Sequence, residues 1–135
     1  MKPVDMTTVH EPPDSIGDCF RCCIASILEL PPEDVPHVYD SEGWRDESGK
    51  VGMQRLQDFL RERGFRFLEI EWEADALPNW KEQLAFHHTL SGISPRGNQH
   101  AVVGYGGQMV HDPHPSRAGI APENGNFRVG IICKL

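Results

Sequence analysis

The amino-acid sequence predicts an α+β protein in which an N-terminal helix packs on an antiparallel β-sheet. Two patterns predict this fold class. An apolar stripe with helical spacing begins at Cys19, and the last third of the chain holds short β-favouring segments. The chain has 135 residues, of which 39% are hydrophobic, and this is enough for one domain with its own apolar core. We therefore expect residues 1–135 to form a single domain.

The first helix is predicted over residues 19–29. Residues 1–18 show no sustained periodicity and contain several prolines, so an irregular segment precedes this helix. Asp18 is a favoured residue type for the N-cap, and Pro31-Pro32 ends the helix. The apolar residues that recur at helical spacing are Phe20, Cys23, Ile24, Ile27 and Leu28.

A second helix follows a loop. Residues 31–52 are rich in proline, glycine and acidic side chains, and they predict a loop with one short helical turn around Glu33–Val35. Gly64 stands where the C-terminus of a helix favours glycine. The apolar positions that mark this second helix are Met53, Leu56, Phe59 and Leu60.

The periodicity changes to two residues after Phe65, which indicates a strand. Apolar residues alternate with glutamates from Leu68 to Glu73, so we expect one apolar face and one acidic face that is exposed to solvent. Residues 78–86 favour a short helix.

Four segments of the last third favour strands, and Gly106-Gly107 between the middle two favours a two-residue hairpin turn. These segments are residues 88–94, 100–105, 108–111 and 127–133. Helices followed by an antiparallel sheet are typical of α+β domains.

Four cysteines, three of them within five residues, do not form the pattern of a disulfide framework. Cys19 lies in the first turn of the predicted helix, where unsatisfied N–H groups and the helix dipole favour the nucleophilic thiolate. Gly17 would let the backbone approach a substrate closely. Cys19 and Cys22 also form a C-x-x-C pair, for which a redox role is the alternative. We expect Cys22, Cys23 and Cys133 to be packing residues.

His100 and Asp112 lie on opposite arms of the predicted hairpin. His100 precedes the Gly106-Gly107 turn by six residues and Asp112 follows it by five, so the two side chains would be near neighbours across the strand pair. An imidazole can accept the proton of a thiol, and a carboxylate can fix the tautomer and orientation of that imidazole. We therefore expect Cys19, His100 and Asp112 to act together.

Three short motifs occur in order along the chain: Gly17-Asp18-Cys19, His100-Ala101-Val102-Val103 and Asp112-Pro113. This layout resembles the papain-like cysteine peptidase superfamily, in particular the bacteriocin-processing (double-glycine) peptidases and similar proteins of bacteria and phages. The resemblance implies a minimal papain-like fold, with Cys19 as nucleophile, His100 as general base and acid, and Asp112 as the orienting group. It also implies hydrolysis of a peptide, isopeptide or related amide bond in a peptide or protein substrate, through a thioester acyl-enzyme and without a cofactor.

The sequence departs from that superfamily at one position. Those peptidases have a glutamine a few residues before the cysteine that helps to form the oxyanion hole, whereas the first glutamine of this chain is Gln54. We expect His10 and the backbone N–H of Cys19 as substitute donors. The alternative function is a non-catalytic module that binds a peptide or protein in the same cleft.

His111 and His114 flank Asp112 and are expected on the rim of the site. Together with His100, these residue types could bind a metal ion, and a metal centre is a further alternative. No cysteine pair or His-Glu-x-x-His helix completes a ligand set, so we expect no metal.

The composition argues against several kinds of partner. The formal net charge is −7 and the lysines and arginines are not clustered, which argues against a nucleic-acid surface. No apolar stretch is long enough to span a membrane, and the N-terminus lacks the apolar segment of a signal peptide. We expect a cytoplasmic protein without a membrane or nucleic-acid partner.

Overall fold

The structure is a computed structural model, and it describes residues 1–11, 15–39, 50–121 and 126–135. Within these residues, the helices are α1 (Cys19–Leu28) and α2 (Lys50–Glu62), with short 3-10 helices at Pro32–Asp34 and Ala74–Trp80. The strands are β1 (Phe65–Glu73), β2 (His87–Ile93), β3 (Gln99–Tyr105), β4 (Gln108–His111) and β5 (Asn126–Lys134). The chain therefore has the α+β architecture that its sequence predicts.

The strands form one antiparallel sheet in the order β1-β5-β2-β3-β4. Side chains alternate between the two faces, so Ala101 and Val103 of β3 pack with the helices while Val102 lies on the opposite face. On that opposite face, Leu77 and Leu84 contribute to a second apolar cluster. The centre of the sheet is therefore buried on both faces.

Helix α1 ends one residue before its predicted end, where Glu29 adopts a left-handed conformation with φ of 57°. Asp18 occupies the N-cap position, but its carboxylate makes no capping hydrogen bond to a backbone N–H of the helix. The predicted capping role of this side chain is therefore wrong, because its oxygens bond to the N-terminal segment instead. The buried apolar stripe of α1 includes Phe20, Cys23 and Ile24, as predicted.

Strand β1 lies at the edge of the sheet, and its neighbours decide which of its side chains are buried. Leu68 and Ile70 are 48% and 45% exposed, whereas Phe67, on the face that carries the glutamates, is only 3% exposed. The helices cover the Phe67 side of the sheet. On the other side, Trp72 packs against Trp80 with ring centroids 5.3 Å apart. Apolar and acidic side chains alternate along β1 as predicted, but this alternation alone does not show which face of the strand is buried.

The β3–β4 hairpin turns at Gly106-Gly107 as predicted, and both glycines have positive φ angles, of 64° and 77°. The pairing begins in the predicted register next to the turn. A β-bulge between Val103 and Gly104 then shifts it by one residue, so that Val103 pairs with His111. Asp112 therefore lies one residue beyond β4.

The connecting segments differ from their predictions in detail. The helix predicted over residues 78–86 is a 3-10 helix that starts earlier, at Ala74, and contains Pro78, which cannot donate a backbone hydrogen bond. Residues 40–49 of the predicted loop lie outside the described residues, as do residues 12–14 near the N-terminus. In the described ranges, no helix is both long and apolar enough to cross a membrane.

We predict that Phe67→Ala lowers the free energy of unfolding by about 3–5 kcal/mol. It removes a buried ring that contacts the ring of Phe20, with centroids 5.6 Å apart. Leu68→Ala is the matched control at the neighbouring half-exposed position, and it should cost about 1 kcal/mol or less. Urea denaturation measures both. Equal losses, or a larger loss at Leu68, would contradict the observed burial of β1.

Candidate active site

Cys19 is the first residue of α1 and is partly exposed, whereas Cys22 and Cys23 are fully buried in the same helix. Burial and the neighbouring Asp18 carboxylate raise the pKa of Cys22 to about 12, and burial raises the pKa of Cys23. The Cys22 thiol also donates a hydrogen bond to the backbone carbonyl of Asp5, at 3.3 Å. A redox role for Cys19 and Cys22 is therefore disfavoured, because Cys22 is held as a buried thiol.

His100 lies at the start of β3 and is buried beside Asp112. Its Nε2 donates a hydrogen bond to Oδ1 of Asp112, at 2.7 Å, so the two residues are in contact across the hairpin as the sequence predicts. The side chain of Cys19 also lies close enough to the imidazole to raise the pKa of His100. Because Nε2 is occupied by Asp112, Nδ1 is the nitrogen that remains for the thiol.

The charge state of His100 follows from these contacts. Burial acts to lower the pKa of His100, but the interactions with Asp112, its hydrogen bond foremost, and with the side chain of Cys19 raise it to about 9. The imidazole is therefore protonated at neutral pH. An imidazolium beside a cysteine favours the thiolate form of that cysteine.

The Asp112 carboxylate is buried and accepts three hydrogen bonds. Besides His100, the donors are the backbone N–H groups of His114 and Gly119, at 2.9 and 2.7 Å. Burial acts to raise the pKa of Asp112, but these hydrogen bonds, that of His100 foremost, lower it to about 2. The loop after β4 therefore surrounds the carboxylate with donors and keeps it charged.

Residues 1–8, the N-terminal strap, lie against the start of α1. The buried Asp18 carboxylate accepts hydrogen bonds from the backbone N–H groups of Thr7 and Thr8, at 2.9 and 3.1 Å, and from the Thr7 hydroxyl. Asp18 directly precedes Cys19 in the chain. The strap therefore fixes the backbone at the point where the candidate nucleophile begins its helix.

Arg117 joins the N-terminal strap to the loop after β4. Its guanidinium pairs with both carboxylate oxygens of Asp5, at 2.6 and 3.0 Å, and it also donates to the backbone carbonyl of Asp112. Met6 donates its backbone N–H to the carbonyl of Pro113, at 3.0 Å. The sequence does not predict this ion pair, because Asp5 and Arg117 are far apart along the chain and belong to no shared motif.

His10 and Gly17, the predicted oxyanion and backbone-approach residues, contact each other. The Gly17 N–H donates to Nδ1 of His10 at 3.2 Å, which assigns the proton of the His10 ring to Nε2. A Cβ on Gly17 would lie 2.9 Å from Cβ of His10 and 3.1 Å from Cε of Met6. The missing side chain of Gly17 therefore makes room for the N-terminal segment.

The two predicted rim histidines lie in different places. The ring of His114 lies beside that of His100, with centroids 6.0 Å apart and planes at 89°. His111 instead contacts the N-terminal strap, where its Nε2 hydrogen-bonds to the carbonyl of Val4 at 2.9 Å. The structure therefore brings His114, but not His111, to the imidazole of His100.

In the described parts of the chain, no three histidine, cysteine, aspartate or glutamate side chains converge closely enough to hold a metal ion. Comparison with family models, curated proteins and solved structures finds no match for this chain. Its chemistry must therefore be inferred from the geometry of the site.

We predict that iodoacetamide alkylates Cys19 at least about ten-fold faster than Cys133 at neutral pH. Both side chains are partly exposed, but Cys19 lies beside the imidazole of His100, which is protonated at this pH. Cys22 and Cys23 should react more slowly than either, because both are buried. Peptide mapping after limited labelling measures all four rates. Equal labelling of Cys19 and Cys133 is the result that would contradict the prediction.

We predict a pH-dependent stability from the His100–Asp112 pair. The pKa of His100 rises from 6.5 to about 9 on folding, so its contribution is complete below pH 6.5 and is lost as the pH rises through 9. The pKa of Asp112 falls from 3.8 to about 2, so its contribution is present above pH 3.8 and is lost as the pH falls through 2. The pair therefore stabilises most between these two limits.

The measurement compares the free energy of unfolding of wild type and His100→Gln across this pH range. The difference between them should be largest near pH 5–6 and should shrink by on the order of 3 kcal/mol as the pH rises beyond 9. Cys133→Ser is the control, and it should leave the pH profile of the wild type unchanged. A difference that stays constant with pH would contradict the ion pair.

Proposed function

We propose that this protein is a cysteine hydrolase that cleaves a peptide, isopeptide or related amide bond. Cys19 is the nucleophile, His100 the general acid and base, and Asp112 the group that orients the imidazole. The observation that supports this most is the buried imidazole of His100, which is hydrogen-bonded to Asp112 at 2.7 Å and interacts with the side chain of Cys19. A cysteine, an imidazole and a carboxylate in this order form an activated nucleophile with an oriented base.

The proposed reaction begins with the thiolate of Cys19 and the imidazolium of His100. The thiolate attacks the carbonyl carbon, and the tetrahedral intermediate then expels the amine, which takes the proton of His100 as the C–N bond breaks. The product of this step is a thioester on Cys19. The neutral imidazole next accepts a proton from water, whose oxygen attacks the thioester. The carboxylic acid product leaves and the thiolate–imidazolium pair is restored.

Asp112 holds the imidazole in one orientation throughout this cycle. Its carboxylate keeps Nε2 in a hydrogen bond, so Nδ1 stays available to Cys19 and to the leaving amine. We infer that the fold is a minimal papain-like one, because a helix that starts at the nucleophile packs on an antiparallel sheet that carries the base.

The oxyanion hole of this proposal uses the backbone N–H of Cys19 and Nε2–H of His10. His10 supports this role in one respect, since its Nδ1 accepts the Gly17 N–H and its Nε2 is therefore a donor. A glutamine amide supplies this donor in papain-like enzymes, and the loss of one such donor typically costs about a hundred- to a thousand-fold in rate. The lack of a glutamine before Gln54 favours the second candidate, a non-catalytic peptide-binding module.

A reactive ester distinguishes the two candidates without knowledge of the natural substrate. We predict that p-nitrophenyl acetate acetylates wild-type protein at Cys19 and that the acetyl group is then released by hydrolysis. Cys19→Ala should abolish both steps, and Cys133→Ala, the matched control, should change neither. His100→Ala should slow acetylation by about a hundred-fold or more, because the imidazolium that favours the thiolate of Cys19 is lost. Asp112→Asn should have a smaller effect.

Intact-mass spectrometry follows the acetyl group, and absorbance follows the released p-nitrophenol. Unfolding curves establish that each variant is folded, and His100→Gln serves as the second variant for the imidazole. Acetylation at the same rate in wild type and in both His100 variants would contradict the hydrolase proposal and favour the binding module.

A further inference from the structure

Arg96, His114 and Ser116 form a group of hydrogen-bond donors beside His100, which we name the Arg96 rim. The Arg96 guanidinium donates to the Ser116 hydroxyl at 3.0 Å, and the Ser116 backbone N–H donates to Nδ1 of His114 at 3.0 Å. The ring of His114 in turn lies against that of His100. A chain of contacts therefore connects Arg96 to the candidate general acid.

The donors of the Arg96 rim are fixed but incompletely used. Nδ1 of His114 accepts a hydrogen bond, so the ring proton is on Nε2, which is a donor. The backbone N–H of Arg96 donates to the buried Ser94 side chain at 3.2 Å, which holds Arg96 in the turn between β2 and β3. Within the residues that the structure describes, the exposed guanidinium of Arg96 forms no ion pair with a carboxylate.

The electrostatic surroundings of this rim are positive, although the whole chain has a net charge of −7. Burial lowers the pKa of His114, and the charges of Arg96, His100 and Arg117 lower it further, whereas the charge of Asp112 acts in the opposite direction. Arg117 is already paired with Asp5, so Arg96 is the cation of this group that remains for a ligand. A carboxylate is the anionic group that a guanidinium and a neighbouring N–H donor bind best among peptide groups.

We propose that the Arg96 rim binds a carboxylate on the leaving-amine side of the substrate. The inference rests on the proposed hydrolase function. A general acid must contact the nitrogen that it protonates, so groups packed around His100 lie nearer to the leaving amine than to the acyl group. The substrate class is therefore a peptide or amide whose leaving amine carries a carboxylate, such as the last residue of a peptide chain.

On such a substrate the reaction follows the same steps of thioester formation and hydrolysis. Cys19 bonds to the acyl carbon, the bond to the last residue breaks, and the proton of His100 passes to the amine of that residue. Water then releases the shortened peptide. The carboxylate bound at Arg96 takes no part in the bond changes, and it positions the scissile bond between Cys19 and His100.

Three small alkylating probes test this inference. N-bromoacetylglycine carries a free α-carboxylate, N-bromoacetylglycinamide is its neutral match, and the α-amide of N-bromoacetylaspartate carries its carboxylate on a side chain. We predict that wild-type Cys19 reacts about ten-fold or more faster with N-bromoacetylglycine than with the neutral probe. Without a cationic subsite, the negative net charge of the chain would instead favour the neutral probe.

Arg96→Gln should reduce this preference to about one, because the guanidinium that binds the carboxylate of N-bromoacetylglycine is lost and the neutral probe has no carboxylate. Arg96→Lys should retain part of the preference for N-bromoacetylglycine over the neutral probe. Arg63→Gln is the matched control, since Arg63 stacks on Phe59 just after α2 and its loss removes the same charge elsewhere. A high preference for the aspartate probe over N-bromoacetylglycine would assign the rim to an acidic side chain and overturn the preference for a chain end.

The two proposals fail in distinguishable ways. If Cys19 reacts rapidly with the neutral probe and His100→Ala slows it, but Arg96→Gln keeps the carboxylate preference, the subsite is wrong and the hydrolase proposal stands. A neutral-probe rate that His100→Ala does not change overturns the hydrolase proposal, and the subsite with it.

Discussion

The hydrogen bond between His100 and the buried Asp112 carboxylate is the interaction on which the rest of the site depends. A buried carboxylate is stable only when donors surround it, and here the donors are an imidazole and the backbone N–H groups of His114 and Gly119. Satisfying Asp112 therefore fixes the loop after β4 and the orientation of the imidazole together. The same constraint brings His114 beside His100, and Ser116, two residues further on, accepts a hydrogen bond from Arg96.

A second buried carboxylate, that of Asp18 at the start of α1, likewise fixes the segment that supplies its hydrogen-bond donors. It is held by Thr7 and Thr8 of the N-terminal strap, and the strap in turn reaches the loop after β4 through the ion pair of Asp5 with Arg117. The start of α1 and the loop that carries Asp112 are therefore connected by one segment of chain. The proposed reaction needs Cys19, His100 and Asp112 close together. The packing of the strap therefore helps to hold the groups of the proposed reaction in place.

The sequence was informative where the determining interactions are local. The stripe of α1 and the glycine turn of the hairpin depend on residues close together in the chain, and both occur where they are predicted. The predicted hairpin also places His100 near Asp112, as in the structure, although a bulge next to Val103 shifts the register of the two strands. Burial of β1 was not predictable in the same way, because alternation separates two faces without showing which one the helices cover.

By itself, the sequence determined the α+β class, the start of α1 at Cys19 and the pairing of His100 with Asp112, since helical periodicity and turn geometry act over a few residues. Only the tertiary structure decided that Asp18 binds the strap instead of capping its helix, that Arg117 pairs with Asp5, and that His114 rather than His111 reaches the imidazole. Each of these depends on where segments distant in sequence meet. A buried charge takes whichever donors the packing brings to it, and packing is a property of the whole chain.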